Sequence, residues 1–392
     1  MKIISVLIGI VIIYIVQAFL FRKYWDKKLE VSAEFKEKAI NEGQSVTIEE
    51  IIVNRKWLPL PLVTMKFILS SAFKEKNSDK KIVSDYYNRS EIFSLLMFQK
   101  IKRKIEFVCT KRGIYKIQAL TIQVGNLFLN ETNIKEVESN GKLVVYPGFV
   151  NVNQFLDIFQ NVYGDIITKQ FMTEDPFLNR GVREYQIYDR MKLINWSASA
   201  KTGELKVNIL ENTSKRDVVI FLNLQRDTML LGSDITEEAI RLTKTFANEL
   251  YKQGIKSIIY TNGNDIETDE TVQIEDINSN KNYMDIVNNA LARIVVKEGG
   301  NVHTEYEANN FMEMYKNKIE KLQEDKYLIF ISNYQREDFQ NALIDIKNKN
   351  ADFKWIVPVS NRRDFHVGSN LIKKTVIWRM NWEGVYGGGK FD

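Results

Sequence analysis

Three features of the 392-residue sequence predict its fold class. An uncharged apolar run opens the chain. The first third alternates apolar and polar residues. The carboxyl-terminal half alternates continuous apolar runs with helical patterns. Together they predict a multidomain chain: an N-terminal transmembrane helix, a β-sandwich, and a Rossmann-like α/β domain. The expected divisions are residues 1–27 for the anchor and its basic flank, 28–147 for the sandwich, 148–212 for a connecting region and 213–392 for the α/β domain.

The anchor is read from Ile3 to Phe21, 19 residues without a formal charge. At 1.5 Å per residue, a helix of that length matches the hydrocarbon thickness of a bilayer. The run is long for a signal-peptide core, and no A-x-A-like cleavage site follows it. Lys2 precedes the run, while Arg22, Lys23, Lys27 and Lys28 follow it. The positive-inside bias then predicts a single-pass protein of the cell membrane with a cytoplasmic body.

Composition narrows the function classes. Hydrophobic residues make up 44%, enough for packed cores. The net charge of +5 comes from 55 basic and 50 acidic residues spread along the chain, without the basic stripe of a nucleic-acid binder. The single cysteine, Cys109, allows no intrachain disulfide and is expected as a buried hydrophobe on a strand. Two histidines, His303 and His366, argue against a histidine-rich zinc site.

Between Lys28 and Pro147 the pattern is that of antiparallel strands. In "SVTIEEIIVN", Val46, Ile48 and Ile52 fall at even spacing; in "KIEFVCTKRGIYKI", Ile105, Phe107 and Cys109 alternate before a turn at Arg112-Gly113. Pro59 and Pro61 in "WLPLPLV" predict a loop or edge segment, because proline cannot donate to a ladder. "KLVVYP" is the last expected strand.

After residue 212 the period changes. "DVVIFLNL", "KSIIYT", "KYLIFIS" and "FKWIVPV" are the continuous apolar runs of strands covered on both faces. Between them, "DITEEAIRLTKTFANELYKQG" carries Ala239, Leu242, Phe246 and Leu250 at helical spacing, with Asp234 as the expected cap and Gly254 as the expected left-handed stop. Tyr283–Val296, Glu307–Gln323 and Glu337–Lys347 are the other expected helices. Ligands of such a sheet meet the carboxyl ends of its strands.

Two constellations stand out. Asn223, Gln225 and Asp227 in "FLNLQRDT" occupy the frame in which von Willebrand factor A-type domains place D-x-S-x-S, and Ser332-Asn333 occupies the neighbouring strand end. Two amides and one carboxylate offer little charge to a dehydrated Mg²⁺, so a degenerate metal loop with no resident metal is expected there. The second is "REYQIYDRMKLINWSASAKTGELKVN", Arg183 to Asn208. It gathers Arg183, Asp189, Arg190 and Lys192 around Tyr185, Tyr188 and Trp196. Guanidinium–carboxylate pairing and stacking on rings suit a lock, so Arg183, Asp189 and Trp196 are expected to hold the joint between the sandwich and the α/β domain, with partner docking as a second use. Catalysis would need a nucleophile beside a tuned base, and the stretch holds no histidine. A short turn at Thr202-Gly203 feeding a strand is expected at its end.

That second stretch closely resembles the signature of the DUF58 family of bacterial proteins, approximately R-x-Y-x-x-G-D-x-x-R-x-I-x-W-x-x-[ST]-A-[RK]. The matching residues are Arg183, Tyr185, Asp189, Ile194, Trp196, Ser199, Ala200 and Lys201. Tyr188 stands where the family usually has Gly, and Lys192 where it usually has Arg. The "KRGIY" turn and the "VVYPGF" exit are similar to the family layout as well. Members commonly carry a hairpin of two membrane helices, whereas one is evident here. The resemblance implies a von Willebrand factor A-type α/β domain and work beside a MoxR-type AAA+ ATPase in protein-complex assembly or maturation.

The expected function is therefore that of a membrane-anchored, non-enzymatic adaptor. Its implied partners are the lipid bilayer, the MoxR-type ATPase and other membrane or assembly proteins, with no cofactor and no nucleic acid. The alternatives are a hydrolase using the Asp189 cluster and an extracellular adhesion module.

Overall fold

The computed structural model describes residues 2–76, 86–126, 132–139, 141–172, 174–212, 217–225, 232–275, 282–295, 310–322, 326–349, 351–360 and 366–380. The chain divides into two compact units, Met1–Gly148 and Phe149–Asp392.

The first unit opens with α1 (Lys2–Tyr24), an apolar helix long enough to cross a membrane and exposed along nearly all its length. Eleven strands follow: β1 (Leu29–Phe35), β2 (Ala39–Asn41), β3 (Ser45–Asn54), β4 (Leu60–Ser70), β5 (Phe73–Glu75), β6 (Tyr86–Leu95), β7 (Lys100–Cys109), β8 (Gly113–Lys116), β9 (Gln118–Gly125), β10 (Thr132–Glu136) and β11 (Lys142–Tyr146). They form sheets ordered β1-β3-β7-β5, β10-β9-β4-β6 and β2-β11-β8. Among the described residues every pairing is antiparallel except β2 with β11. The body is thus β-sandwich-like.

Strict alternation puts Val46, Ile48 and Ile52 of β3 into one core with Phe107 and Cys109 of β7. Each such aliphatic or aromatic side chain contributes about 1.5–3 kcal/mol by leaving water. The Cys109 thiol is fully buried, and burial pushes it up to about 12. Phe21, near the end of α1, also enters this core. Proline placement differs from expectation. Pro61 lies in β4, a strand with neighbours on both sides, but at the register shift between Leu60 and Val63. A bulge needs no ladder donor there, which is why an interior strand accepts proline.

Glu50 breaks the apolar stripe of β3: it is 1% exposed. Arg89 of β6 answers it at 3.3 Å and also binds Glu75 at 3.2 Å and Glu91 at 2.6 Å. Tyr87 donates to Glu75 at 2.7 Å. Burial still pushes the Glu50 carboxyl up, against the pull of Arg89.

The second unit begins with α2 (Val152–Met172). This helix lies in the stretch expected only to connect. Phe155, Phe159, Val162 and Ile166, spaced by four, three and four, place it on a core. An antiparallel ribbon of β12 (Glu174–Glu184) and β13 (Lys206–Asn212) follows, with α3 (Trp196–Thr202) inside its loop. Then come β14 (Val218–Asn223), α4 (Gly232–Lys252), β15 (Ser257–Asp265), β16 (Thr271–Ile274), α5 (Tyr283–Arg293), β17 (Ile294–Val295), α6 (Asn310–Leu322), β18 (Tyr327–Ser332), α7 (Glu337–Asn348), β19 (Phe353–Ser360) and β20 (Thr375–Met380).

The sheet runs β16-β15-β14-β18-β19-β20, with β17 also on β15. β15, β14, β18, β19 and β20 are parallel neighbours; β16 and β17 pair antiparallel with β15. Both faces are covered. Val218, Ile220 and Leu222 join residues of α2, α4 and α5, whereas Val219 and Phe221 join those of α6 and α7. Burial on both faces explains why β14 is apolar from Val218 to Leu222.

The structure corrects the start of α4. Asp234 lies inside the first turn rather than before it, where its charge complements the helix dipole instead of capping. Gly254 adopts φ +74 and ends the helix, its N–H donating to the Tyr251 carbonyl while Ile255 donates to Leu250. The helix from Tyr283 ends at Arg293, where β17 begins, short of the expected Val296. Of the expected helix Glu307–Gln323, residues 310–322 are described and all are helical. β16, β17 and β20 carry too little periodic signal to be read from the sequence.

Candidate functional site

The loop between β12 and β13 is built by a few polar contacts. Arg183 leaves β12 and its two terminal nitrogens each donate to one oxygen of Asp189, both at 2.6 Å. The Gln186 N–H donates to Asp189 Oδ2 at 2.8 Å, and the Asp189 N–H donates to the Gln186 carbonyl at 2.8 Å. Arg183 also donates to the Glu184 carbonyl. These bonds close residues 183–189 on themselves. The Arg183 guanidinium and then the Gln186 N–H hold the Asp189 carboxyl below the ordinary aspartate range, and Asp189 raises Arg183 in turn.

A 3₁₀ turn, Met191–Leu193, leads to Asn195. Asn195 Oδ1 accepts from the Ala198 N–H at 2.9 Å and so caps α3. Its Nδ2 donates to Asn208 Oδ1 of β13 at 2.7 Å. Ser199, buried, donates to the Asn195 carbonyl and accepts from the Lys206 N–H, each at 2.8 Å. Gly203, at φ +76, ends α3. The sequence pattern shows the Thr202-Gly203 turn but not the seven-residue helix before it. Ile194 and Val207, which bridge the two arms, are buried.

The structure therefore joins Arg183 to Asp189 and places Ser199 at the base of the loop. Lys192 and Lys201 are exposed and Tyr185 half-buried. The loop also carries an apolar rim, of which Ile187 and Met191 were unforeseen. Ile187 is 97% exposed, Tyr188 81% and Trp196 67%, and Met191 is exposed beside them. Gln186, Asn195 and Asn208 were also missed. Only Asn195, a cap residue ahead of a short helix, left a local signal.

At the other candidate, Asn223 and Ser332 sit in register at the carboxyl ends of β14 and β18, where the chain order of the sheet reverses. Asn223 is buried. Its Oδ1 accepts from the Gln225 N–H at 3.0 Å and from Asn262 Nδ2 at 3.2 Å, while its Nδ2 has no partner among the described residues. Asn262 Oδ1 accepts from the Leu224 N–H. Ser332 Oγ accepts from the Tyr334 N–H, and the Ser332 carbonyl from Trp355 Nε1. Asn333 is buried. Asp227 lies outside the described residues. The oxygen of Asn223 is already committed to two donors, and the atom left over is itself a donor. The Asn223 side chain therefore offers no free oxygen to a divalent cation.

No family model matches the chain. It is 20% identical over 249 residues to the uncharacterized protein YeaD of Bacillus subtilis (strain 168), a match that covers 62% of this chain. The chain spans 58% of the length of that curated relative. Solved structures with local likeness include the CARDB domain of the PF1109 protein of Pyrococcus furiosus, at 13% identity over 30% of this chain and 94% of that one, TM-score 0.20. A non-cellulosomal cohesin of Archaeoglobus fulgidus shows 11% identity over 33% and 97%, TM-score 0.20.

Proposed function

We propose that the protein is a membrane-anchored, non-enzymatic adaptor whose β12–β13 loop docks a protein partner, with a MoxR-type AAA+ ATPase as the partner the DUF58 resemblance implies. The observation that carries this reading is the apolar rim of Ile187, Tyr188, Met191 and Trp196. These side chains stay exposed while the polar groups beneath them are paired. Aromatic residues and methionine on a pre-ordered support are what protein interfaces use as anchors. The Asp189 carboxylate has both oxygens engaged and a lowered pKa, which favours a structural part over a general base. The hydrolase reading is correspondingly weaker.

On this reading α1 is a membrane span and the basic residues after it keep the body cytoplasmic. The second unit is of the Rossmann-like von Willebrand factor A type, with a polar strand-end face at Asn223 and Ser332 in place of a metal loop. The test is a crosslinked pull-down of tagged full-length protein from native membranes, beside Tyr188→Ser and Trp196→Ala variants. Enrichment of an AAA+ ATPase that both variants lose supports the reading. Absence of any ATPase, or enrichment unchanged in both variants, rules it out for this loop.

A further inference from the structure

The end of the first unit next to α1 carries a second apolar cluster. Trp57, in the loop between β3 and β4, is 56% exposed. Phe98, in the turn between β6 and β7, is 71% exposed, and Leu96 and Met97 beside it are exposed too. Phe98 has φ +52, a left-handed conformation that an aromatic L-residue rarely adopts. The two loops are tied together. Asn54, fully buried, donates through Nδ2 to the carbonyls of both Leu58 and Leu96 at 2.9 Å. The Phe98 N–H donates to the Lys56 carbonyl at 3.2 Å.

The same cluster is tied to the helix. The buried ammonium of Lys56 donates to the carbonyls of Trp25 and Lys27, just past the last turn of α1. Phe21 packs into the sandwich core. Trp57, Leu58 and Pro59 then line a groove of about 350 Å³ with Ile12, Val16 and Leu20 of α1. Ile12 and Leu20 are eight residues apart, about 12 Å along a helix. The loop thus lies at the depth of the second half of α1. Lys100 follows Phe98 by two residues, and Lys23 and Lys27 follow the apolar run of α1, where headgroup-facing cations would stand.

We propose that Trp57, Leu96, Met97 and Phe98 are a second membrane contact, seated from the headgroup boundary inward in the leaflet that the second half of α1 crosses, with lipid as the occupant. This rests on α1 being a membrane span. A helix fixed to the sandwich by Phe21 and Lys56 cannot enter the bilayer without bringing this edge to its surface. A tryptophan and a phenylalanine flanked by lysines suit the boundary between acyl chains and headgroups.

The test is site-directed nitroxide labelling of the full chain in vesicles of phosphatidylcholine and phosphatidylglycerol. Val11→Cys reports on α1, Met97→Cys on the cluster, and Lys111→Cys on the turn just past the far end of β7, about 30 Å away. Leu96→Cys serves if Met97→Cys fails to fold. The wild-type chain is the blank, because Cys109 is buried. The expected result is labels at 11 and 97 relaxed more by oxygen than by a polar nickel chelate, with the reverse at 111. A label at 97 as chelate-accessible as the one at 111, with 11 in lipid, overturns the proposal and leaves the anchor standing. A label at 97 shielded from both relaxants also overturns it, by pointing to a protein occupant. A chelate-accessible label at 11 removes the anchor and the proposal together.

Discussion

Arg183 and Asp189 meet in a two-point pair, each terminal guanidinium nitrogen 2.6 Å from its own carboxylate oxygen. They are six positions apart, so the pair closes a loop rather than joining distant elements. The loop it closes carries Ile187 and Tyr188 at its crest.

The clasp is expected to depend on pH. Asp189 titrates below the ordinary aspartate value of 3.8 in the folded chain. Its stabilising contribution is therefore present above that value and lost as pH falls through the lower, folded one. Hydrogen exchange of the peptide spanning 183–196, corrected for intrinsic rates, should be flat from neutral pH to about 4 and accelerate below it. Acceleration already near pH 6 would show that Asp189 does not hold the loop.

Asn195→Ala removes the cap of α3 and its bond to Asn208. A lost cap costs about 1 kcal/mol. Local exchange across residues 196–202 should speed several-fold, with the amides of β14 and β18 unchanged. Asn195→Asp, which retains the capping oxygen, should recover most of the protection.

Arg89→Leu leaves Glu50, Glu75 and Glu91 facing one another without their shared cation. Breaking a buried pair from one side costs about 3–5 kcal/mol. Denaturant unfolding followed by exchange in β3 and β6 should show the first unit weakened by that order. A change under 1 kcal/mol would mean that the carboxylates find other donors.

Magnesium should leave the second unit unmoved. A site with a micromolar Kd would add about 4 kcal/mol at millimolar metal. Because Asn223 Oδ1 is already engaged twice, the thermal midpoint should be the same with millimolar Mg²⁺ as with a chelator. An upward shift that disappears in Asp227→Ala would restore a metal loop.

Much of the fold was legible because its signals are local. A fully buried strand such as Val218–Asn223 is apolar at every position but its last, and a half-buried one such as Ser45–Asn54 alternates. The clasp was legible in part: charge and aromatic content marked the stretch around Asp189. Its geometry was not, since the Gln186 N–H and the Asn208 side chain carry no pattern of their own. Helix α2 went unread because Gly164 and a polar exposed side dilute its stripe of Phe155, Phe159, Val162 and Ile166. The short α3 has too few residues to show a period.

The sequence alone determined the order of parts: an apolar helix, alternating strands, then strands and helices in turn. Those features follow from backbone periodicity and the transfer of apolar surface from water, which act on neighbouring residues. Only the tertiary structure decided which polar groups are spent and which apolar ones are left over. Glu50 is buried because Arg89 comes from another strand, and Asn223 has no oxygen to offer because Asn262 arrives beside it. Trp57 and Phe98 share one edge because Asn54 bonds both loops. Such pairings join residues far apart in the chain, and no local preference encodes them.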